Sequence, residues 1–177
     1  MTSPAEYWIR MSNLAAEIID QNRIAGRRIA VVESCTGGMV MAALTAPAGA
    51  SDVFDRGWVT YSDEAKMETL GVNSDIIETF GSVSVACAWA MAVNAIAKSG
   101  ADVAVSVTGI AGPGGGSERK PVGTVVFGRA RRGQNPDYIH TDQLLLEGAN
   151  RDEIRRLAAL HALKLLSPDC DEDQDPR

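Results

Sequence analysis

The sequence predicts an α/β fold, a three-layer α/β/α sandwich around a mixed, mainly parallel sheet, and three observations carry that prediction. Short apolar, β-branched runs, RIAVVE at 28–33 and DVAVSV at 102–107, have the length and composition of strands buried on both faces. Stretches with apolar residues at three- and four-residue steps alternate with them, which is helical spacing. Beyond residue 121 the pattern changes to two apolar runs, 122–130 and 138–146, joined by the polar turn RRGQNP, which reads as a hairpin supplying an antiparallel member.

The elements follow in order. Residues 4–24 set Trp8, Met11, Leu14, Ala15 and Ile18 on one face with Glu6, Arg10, Glu17 and Asp20 between them, and Gly26 ends the helix. The strand 28–33 leads through Gly37-Gly38 into a helix from Met39 to Leu44 that stops near Pro47. GWVTYS at 57–62 reads as another strand and 63–70 as a helix. Ser84 caps a helix to about Lys98 in which Asn94 is the one polar residue from Val85 to Ala97, so it must be covered on most sides. Gly100 terminates it before the strand at 102–107. Asn150 with Glu153 three residues on opens a last helix with Ile154, Leu157, Ala158, His161 and Leu165 inside. Residues 1–166 form one predicted domain and 167–177 a solvated acidic tail.

Composition narrows the function classes. The 177 residues are one domain's worth, 45% hydrophobic, with no apolar run near the roughly 20 residues of a membrane span. The net charge of -6 is concentrated at the end: Asp169, Asp171, Glu172, Asp173 and Asp175 against Arg177 leave 18 acids and 16 bases elsewhere. A nearly neutral body without a basic stripe argues against nucleic acid as a partner. Three cysteines, Cys35, Cys87 and Cys170, without CxxC spacing or a secretory leader, point to the cytoplasm. His140 and His161 stand apart from each other and from the cysteines in sequence, so no metal site and no cofactor is assigned.

Three segments could carry chemistry. Glu33-Ser34-Cys35-Thr36-Gly37-Gly38 lies where a buried strand gives way to a helix, and its free N–H groups can hold an anion or a developing oxyanion next to the Ser34 hydroxyl. The alternative is that Ser34, Cys35 and Thr36 only satisfy the turn, and Glu33 either orients that turn or sits buried with a partner. Cys35 competes with Ser34 as nucleophile, and only one of two neighbouring strand residues can face the site. Tyr61-Ser62-Asp63-Glu64-Ala65-Lys66 places a phenol and an amine about a helical turn apart. A lysine in a dry site can take a proton from a serine without a histidine, or it can be a solvated partner of Asp63 or Glu64. The glycine-rich run from Thr108 to Gly116, with Gly109 and Gly112, lacks the GK[ST] of a phosphate-binding NTPase loop and the last glycine of GxGxxG. It is an anion nest with Lys120 nearby, or a long connection. Arg151, a cation in the first turn of a helix, hints at an anionic partner or is a chance surface residue.

Together, ESCTGG at 33–38, YSDEAK at 61–66, LGV at 70–72, VTGIAGPGGG at 107–116, KPVGTV at 120–125 and NRDEIRRLA near the last helix resemble the C-terminal domain family of the competence-damage protein CinA over about residues 5–166. The resemblance implies nicotinamide-nucleotide amidase activity, the conversion of nicotinamide mononucleotide to nicotinic acid mononucleotide and ammonia in pyridine-nucleotide salvage. It implies Ser34 as nucleophile, Lys66 as general base and Tyr61 as the assisting hydroxyl. Cys35, Thr36, Gly37, Gly38, Thr108, Gly109, Gly112 and Arg151 would line the substrate site. It also implies a nucleotide as small-molecule partner, a CinA C-terminal-like sandwich and a homo-dimer or larger homo-oligomer. Val32 stands where the family usually has alanine, and Val85–Ala88 lacks the charges common after the residue matching Ser84. The competing reading is a non-catalytic nucleotide-binding or regulatory module with the same pocket. A third, an interaction domain for DNA uptake or repair, is opposed by the near-neutral body.

Overall fold

The computed structural model describes residues 3–170; of the expected tail at 167–177, residues 171–177 lie outside the described residues, and 167–170 form a turn anchored by the Ser167 hydroxyl donating to Gln21 Oε1 at 3.1 Å. Helix α1 (Pro4–Ile24) begins at a capping box in which Ser3 and Glu6 satisfy each other's backbone N–H, with Pro4 pre-set for the first turn. Strand β1 (Ile29–Glu33), helix α2 (Met39–Thr45) and strand β2 (Phe54–Val59) follow. Then come α3 (Asp63–Ala65) running into a π turn (Lys66–Leu70), and α4 (Ser74–Phe80). The chain continues with α5 (Val85–Lys98), β3 (Val103–Gly109), β4 (Thr124–Arg131), β5 (His140–Leu145) and α6 (Arg151–Lys164).

The five strands are ordered β2-β1-β3-β4-β5. β1 pairs in parallel with β2 and β3, while β3–β4 and β4–β5 are antiparallel, so four strands run one way and β4 opposes them. The side-chain period of two then sorts β1 and β3 into two cores. Ile29, Val31, Val103, Val105 and Val107 pack with α1, α2 and α6, whereas Ala30, Val32 and Ala104 pack under α5. This is the expected three-layer sandwich, with the expected hairpin as β4 and β5.

Several boundaries differ from the sequence reading. The second strand is 54–59 and not 57–62, because β2 pairs with β1 from Phe54 opposite Ile29 to Val59 opposite Glu33 and then leaves the sheet. The segment 63–70 is only briefly α-helical before widening into the π turn at Lys66. Helix α4, short and without a fully buried residue, has no counterpart in the sequence reading. α5 is covered on most sides, as expected: Cys87, Ala88, Ala90, Met91, Ala92 and Ala95 are buried and the residues between them half-buried, while Val85 and Ala97 near its ends are exposed. His140 and His161, remote in sequence, both approach Asp142 Oδ2, at 3.0 and 3.3 Å, because β5 packs beside α6. The His161 ring also lies 4.5 Å from that of Phe127, and burial lowers its pKa from the usual histidine value.

Candidate active site

The parallel strands β1, β2 and β3 end together, and the unusual residues of the sequence gather at that edge, where ligands collect in open α/β sheets. Ser34 continues β1 by one residue, its N–H donating to Val107 O at 2.9 Å, and the Thr60 N–H donates to Glu33 O at 2.8 Å. Beyond Ser34 the chain turns through Gly37 (φ 61°) and Gly38 (φ 97°), left-handed values that favour glycine, before α2 begins.

Glu33 resolves one open alternative. It is fully buried, and its carboxylate accepts from the backbone N–H groups of Gly38 (2.9 Å), Val40 (3.2 Å) and Met41 (2.8 Å). A strand residue thereby caps the following helix, whose N-cap glycine has no side chain to do so. The Gly37 N–H donates to Ser34 O at 3.1 Å. Of the turn N–H groups expected to bind an oxyanion, those of Gly37 and Gly38 are therefore already engaged. Those of Cys35 and Thr36 donate to no other residue among the described ones, the Cys35 N–H lying against its own Sγ.

Lys66 is 1% exposed, and its Nζ has three hydrogen-bond partners, Ser34 Oγ at 3.3 Å, Thr60 O at 3.0 Å and Ser62 O at 3.3 Å, with the half-exposed Asp63 carboxylate further off at 3.9 Å. The departure of residues 60–62 from β2 supplies the two carbonyls. Burial pushes the Lys66 pKa below the usual lysine value of 10.5, partly opposed by nearby acidic groups that include Asp63 and Glu64. An ammonium has three donors to match three partners. A neutral amine has two, which the carbonyls can take, leaving a lone pair for the Ser34 hydroxyl. In its neutral form Lys66 would thus present a proton acceptor to the serine.

Cys35 is also buried, and burial pushes its thiol up to about 12, so it is not a thiolate at neutral pH. Tyr61 is 58% exposed, and its hydroxyl accepts from Arg151 Nη2 at 2.6 Å; it has no hydrogen bond to Ser34 or Lys66. Arg151 also donates through Nη1 to Gly112 O at 2.7 Å, so it bridges the tyrosine and the glycine-rich loop. Thr108 ends in the same region, buried, its hydroxyl donating to Ser82 O at 2.8 Å. Gly109 and Gly112 have packing reasons: an added Cβ would fall 2.8 Å from Val125 Cγ2 and 2.6 Å from Val122 Cγ1, respectively. Lys120 is held away by donating to Phe80 O at 2.8 Å.

One residue absent from the sequence reading joins the site. Arg155 of α6 donates through Nε to Cys35 O and through Nη2 to Thr36 O, each at 3.0 Å. Its signal was the four-residue step from Arg151, which sets both guanidinium groups on one helix face.

Fold and site together define an α/β sandwich with a buried serine–lysine contact at the ends of its parallel strands. The sequence profile of the CinA C-terminal domain matches residues 11–170, and the chain belongs to that family. Among curated relatives it is 44% identical over 155 residues to the nicotinamide-nucleotide amidohydrolase PncC of Enterobacter agglomerans, covering 88% of this chain and 92% of that protein. It is 47% identical over 146 residues to a putative competence-damage inducible protein of Symbiobacterium thermophilum, covering 80% of this chain but 34% of that protein. The chain thus spans about a third of the length of several relatives it matches. Two crystal structures share the fold. The competence/damage inducible protein CihA of Agrobacterium tumefaciens has a TM-score of 0.83 at 43% identity, covering 88% of this chain and 93% of that one. The competence damage-inducible protein A (ComA) of Klebsiella pneumoniae has 0.84 at 36%, covering 93% and 99%. The family therefore includes an amidohydrolase. No helix among the described residues is long and apolar enough to cross a membrane.

Proposed function

We propose that the chain is a serine amidohydrolase that converts nicotinamide mononucleotide to nicotinic acid mononucleotide and ammonia. The observation that carries the reading is the Lys66 Nζ contact to Ser34 Oγ, made by a buried lysine whose other hydrogen bonds go to backbone carbonyls and whose ion-pair partner Asp63 stands off at 3.9 Å. The 44% identical relative named for this activity supports the substrate. Neutral Lys66 takes the Ser34 proton as Oγ bonds to the carboxamide carbon, giving a tetrahedral oxyanion. The Cys35 and Thr36 N–H groups, which donate to no other described residue, hold that oxygen. Collapse breaks the C–N bond, with Lys66 returning its proton to the departing nitrogen as ammonia leaves. Water then adds to the Ser34 ester, giving its proton to Lys66, and the C–Oγ bond breaks as Lys66 returns that proton to Ser34 Oγ, releasing nicotinic acid mononucleotide.

In this reading Arg151, which bridges Tyr61 and Gly112 of the glycine-rich loop, is the cation that meets the substrate phosphate. Tyr61 acts in this scheme through Arg151, orienting it toward the nucleotide. The test is ammonia release from nicotinamide mononucleotide by purified wild type and Ser34→Ala. Wild-type release that the substitution abolishes is the expected result. Nucleotide binding without release in both would make the chain a binding module, and equal release in both would remove Ser34 from the mechanism.

A further inference from the structure

We propose that Arg155 is a positioning residue for the oxyanion site: it fixes the direction of the Thr36 N–H by gripping the carbonyl on the other side of the same peptide unit. The inference rests on the serine-amidohydrolase reading and assigns a role to a residue that makes no contact with the nucleophile.

The reasoning begins with peptide geometry. The Cys35–Thr36 bond is trans, the one cis bond in the described residues being Gly112–Pro113. In a planar trans unit the C=O of one residue and the N–H of the next point in opposite directions. Arg155 Nε holds the Cys35 carbonyl toward α6 at 3.0 Å, so the Thr36 N–H of that unit is turned away from α6. The neighbouring units are fixed differently. Ser34 O accepts from the Gly37 N–H, which orients the Cys35 N–H from within the turn. Thr36 O accepts from Arg155 Nη2 at 3.0 Å and from the Met39 N–H at 3.4 Å, so the guanidinium spans two successive carbonyls with two parallel donors. The Thr36 unit keeps a second anchor without the arginine, but the Cys35 carbonyl has no other donor among the described residues.

The contact is also closely fitted. A Cβ on Gly37 would lie 3.2 Å from Arg155 Nη2, so the turn packs directly against the guanidinium. Cys35 and Thr36 are both buried, which leaves little water to replace a lost donor. Oxyanion stabilisation depends on donors already aimed where charge develops, so a freely rotating Thr36 peptide unit would act mainly on kcat.

Three variants and a covalent probe test this. Arg155→Ala removes both grips, Arg155→Lys keeps the charge but can hold one carbonyl at a time, and Arg155→Gln keeps a neutral donor. Phenylboronic acid is the probe. The Ser34 oxygen adds to its trigonal boron while the hydroxyl proton passes to Lys66, giving a tetrahedral boronate anion that resembles the oxyanion intermediate. The expected result is a fall in kcat of about 10²-fold in Arg155→Ala, the low end of the range for loss of one oxyanion donor. KM for nicotinamide mononucleotide should change less than 3-fold. Phenylboronic acid affinity should fall by the same factor as kcat, and Arg155→Lys should recover part of both. Arg155→Ala with wild-type kcat and boronate affinity would overturn the proposal, as would a loss confined to KM. If Arg155→Ala does not fold, Arg155→Lys and Arg155→Gln carry the same comparison, and equal kcat in all folded variants overturns it. Wild type that neither releases ammonia nor binds the boronate would instead sink the amidohydrolase reading itself.

Discussion

Replacing Glu33 by Gln tests how the nucleophile turn is held. The carboxylate accepts three backbone N–H bonds in a fully buried position, one at Oε1 from Met41 and two at Oε2 from Gly38 and Val40. Hydrogen bonds to a charged group contribute about 1.5–3 kcal/mol each, and neutral ones about 0.5–1.5 kcal/mol. A glutamine can place its carbonyl oxygen where Oε2 lies and keep two bonds at neutral strength, weakening each by about 1 kcal/mol. Its amide nitrogen then faces the Met41 N–H, donor against donor, so the third bond is lost and a buried N–H is left unpaired, at a further cost of about 1.5–3 kcal/mol. The sum is a destabilisation of about 3–5 kcal/mol. At roughly 2–4 °C per kcal/mol for a chain of this size, Tm should fall by about 6–20 °C. Thermal unfolding followed by circular dichroism, with a parallel urea titration, measures it. A loss below about 1 kcal/mol would refute the cap. Because Gly38 is both a Glu33 partner and the end of the Ser34 turn, activity should fall below the folded fraction.

Two further predictions follow from the pKa directions. Lys66, held low by burial, should give activity an ascending pH limb below the usual 10.5, and Lys66→Met should lose that limb and about 10²–10⁴-fold in rate. Between its lowered folded value and 10.5 the unfolded chain binds more protons than the folded one, so wild-type stability relative to Lys66→Met should rise with pH across that window; a flat or falling difference in urea unfolding would contradict the burial account. Cys35→Ala should retain activity within a few-fold, since a thiol pushed up to about 12 supplies no nucleophile near neutral pH; loss of covalent acylation in this variant alone would reverse the choice of Ser34.

The legible parts of the molecule were those set by local chemistry. Buried β-branched runs marked β1 and β3, Ser84 and Asn150 marked the starts of α5 and α6, and the glycine pair marked the left-handed turn after Ser34. What depended on tertiary packing was not legible. Spacing alone leaves Lys66 open between a dry proton acceptor and a solvated partner of Asp63 or Glu64, and the burial follows only because the chain leaves β2 early and folds two carbonyls around its Nζ. Glu33 was ambiguous because its three partners lie up to eight residues onward, in a different element. Arg155 looks like surface charge in sequence, and only the packing of α6 against the turn gives it carbonyls to hold. Tyr61 lies one helical turn before Lys66, yet its hydroxyl meets Arg151, because consecutive elements separate the two side chains that spacing alone would pair. The two histidines, remote in sequence, share Asp142 through β5–α6 packing.

The central claim is covalent: Ser34, deprotonated by Lys66, carries the acyl group between ammonia loss and hydrolysis. Hydroxylamine intercepts such an ester, so the measurement is hydroxamate formation during turnover of nicotinamide mononucleotide by wild type and Ser34→Ala. The account predicts nucleotide hydroxamate from wild type and none from Ser34→Ala. Hydroxamate from Ser34→Ala at the wild-type rate, or turnover by wild type that yields only the acid at saturating hydroxylamine, would contradict it.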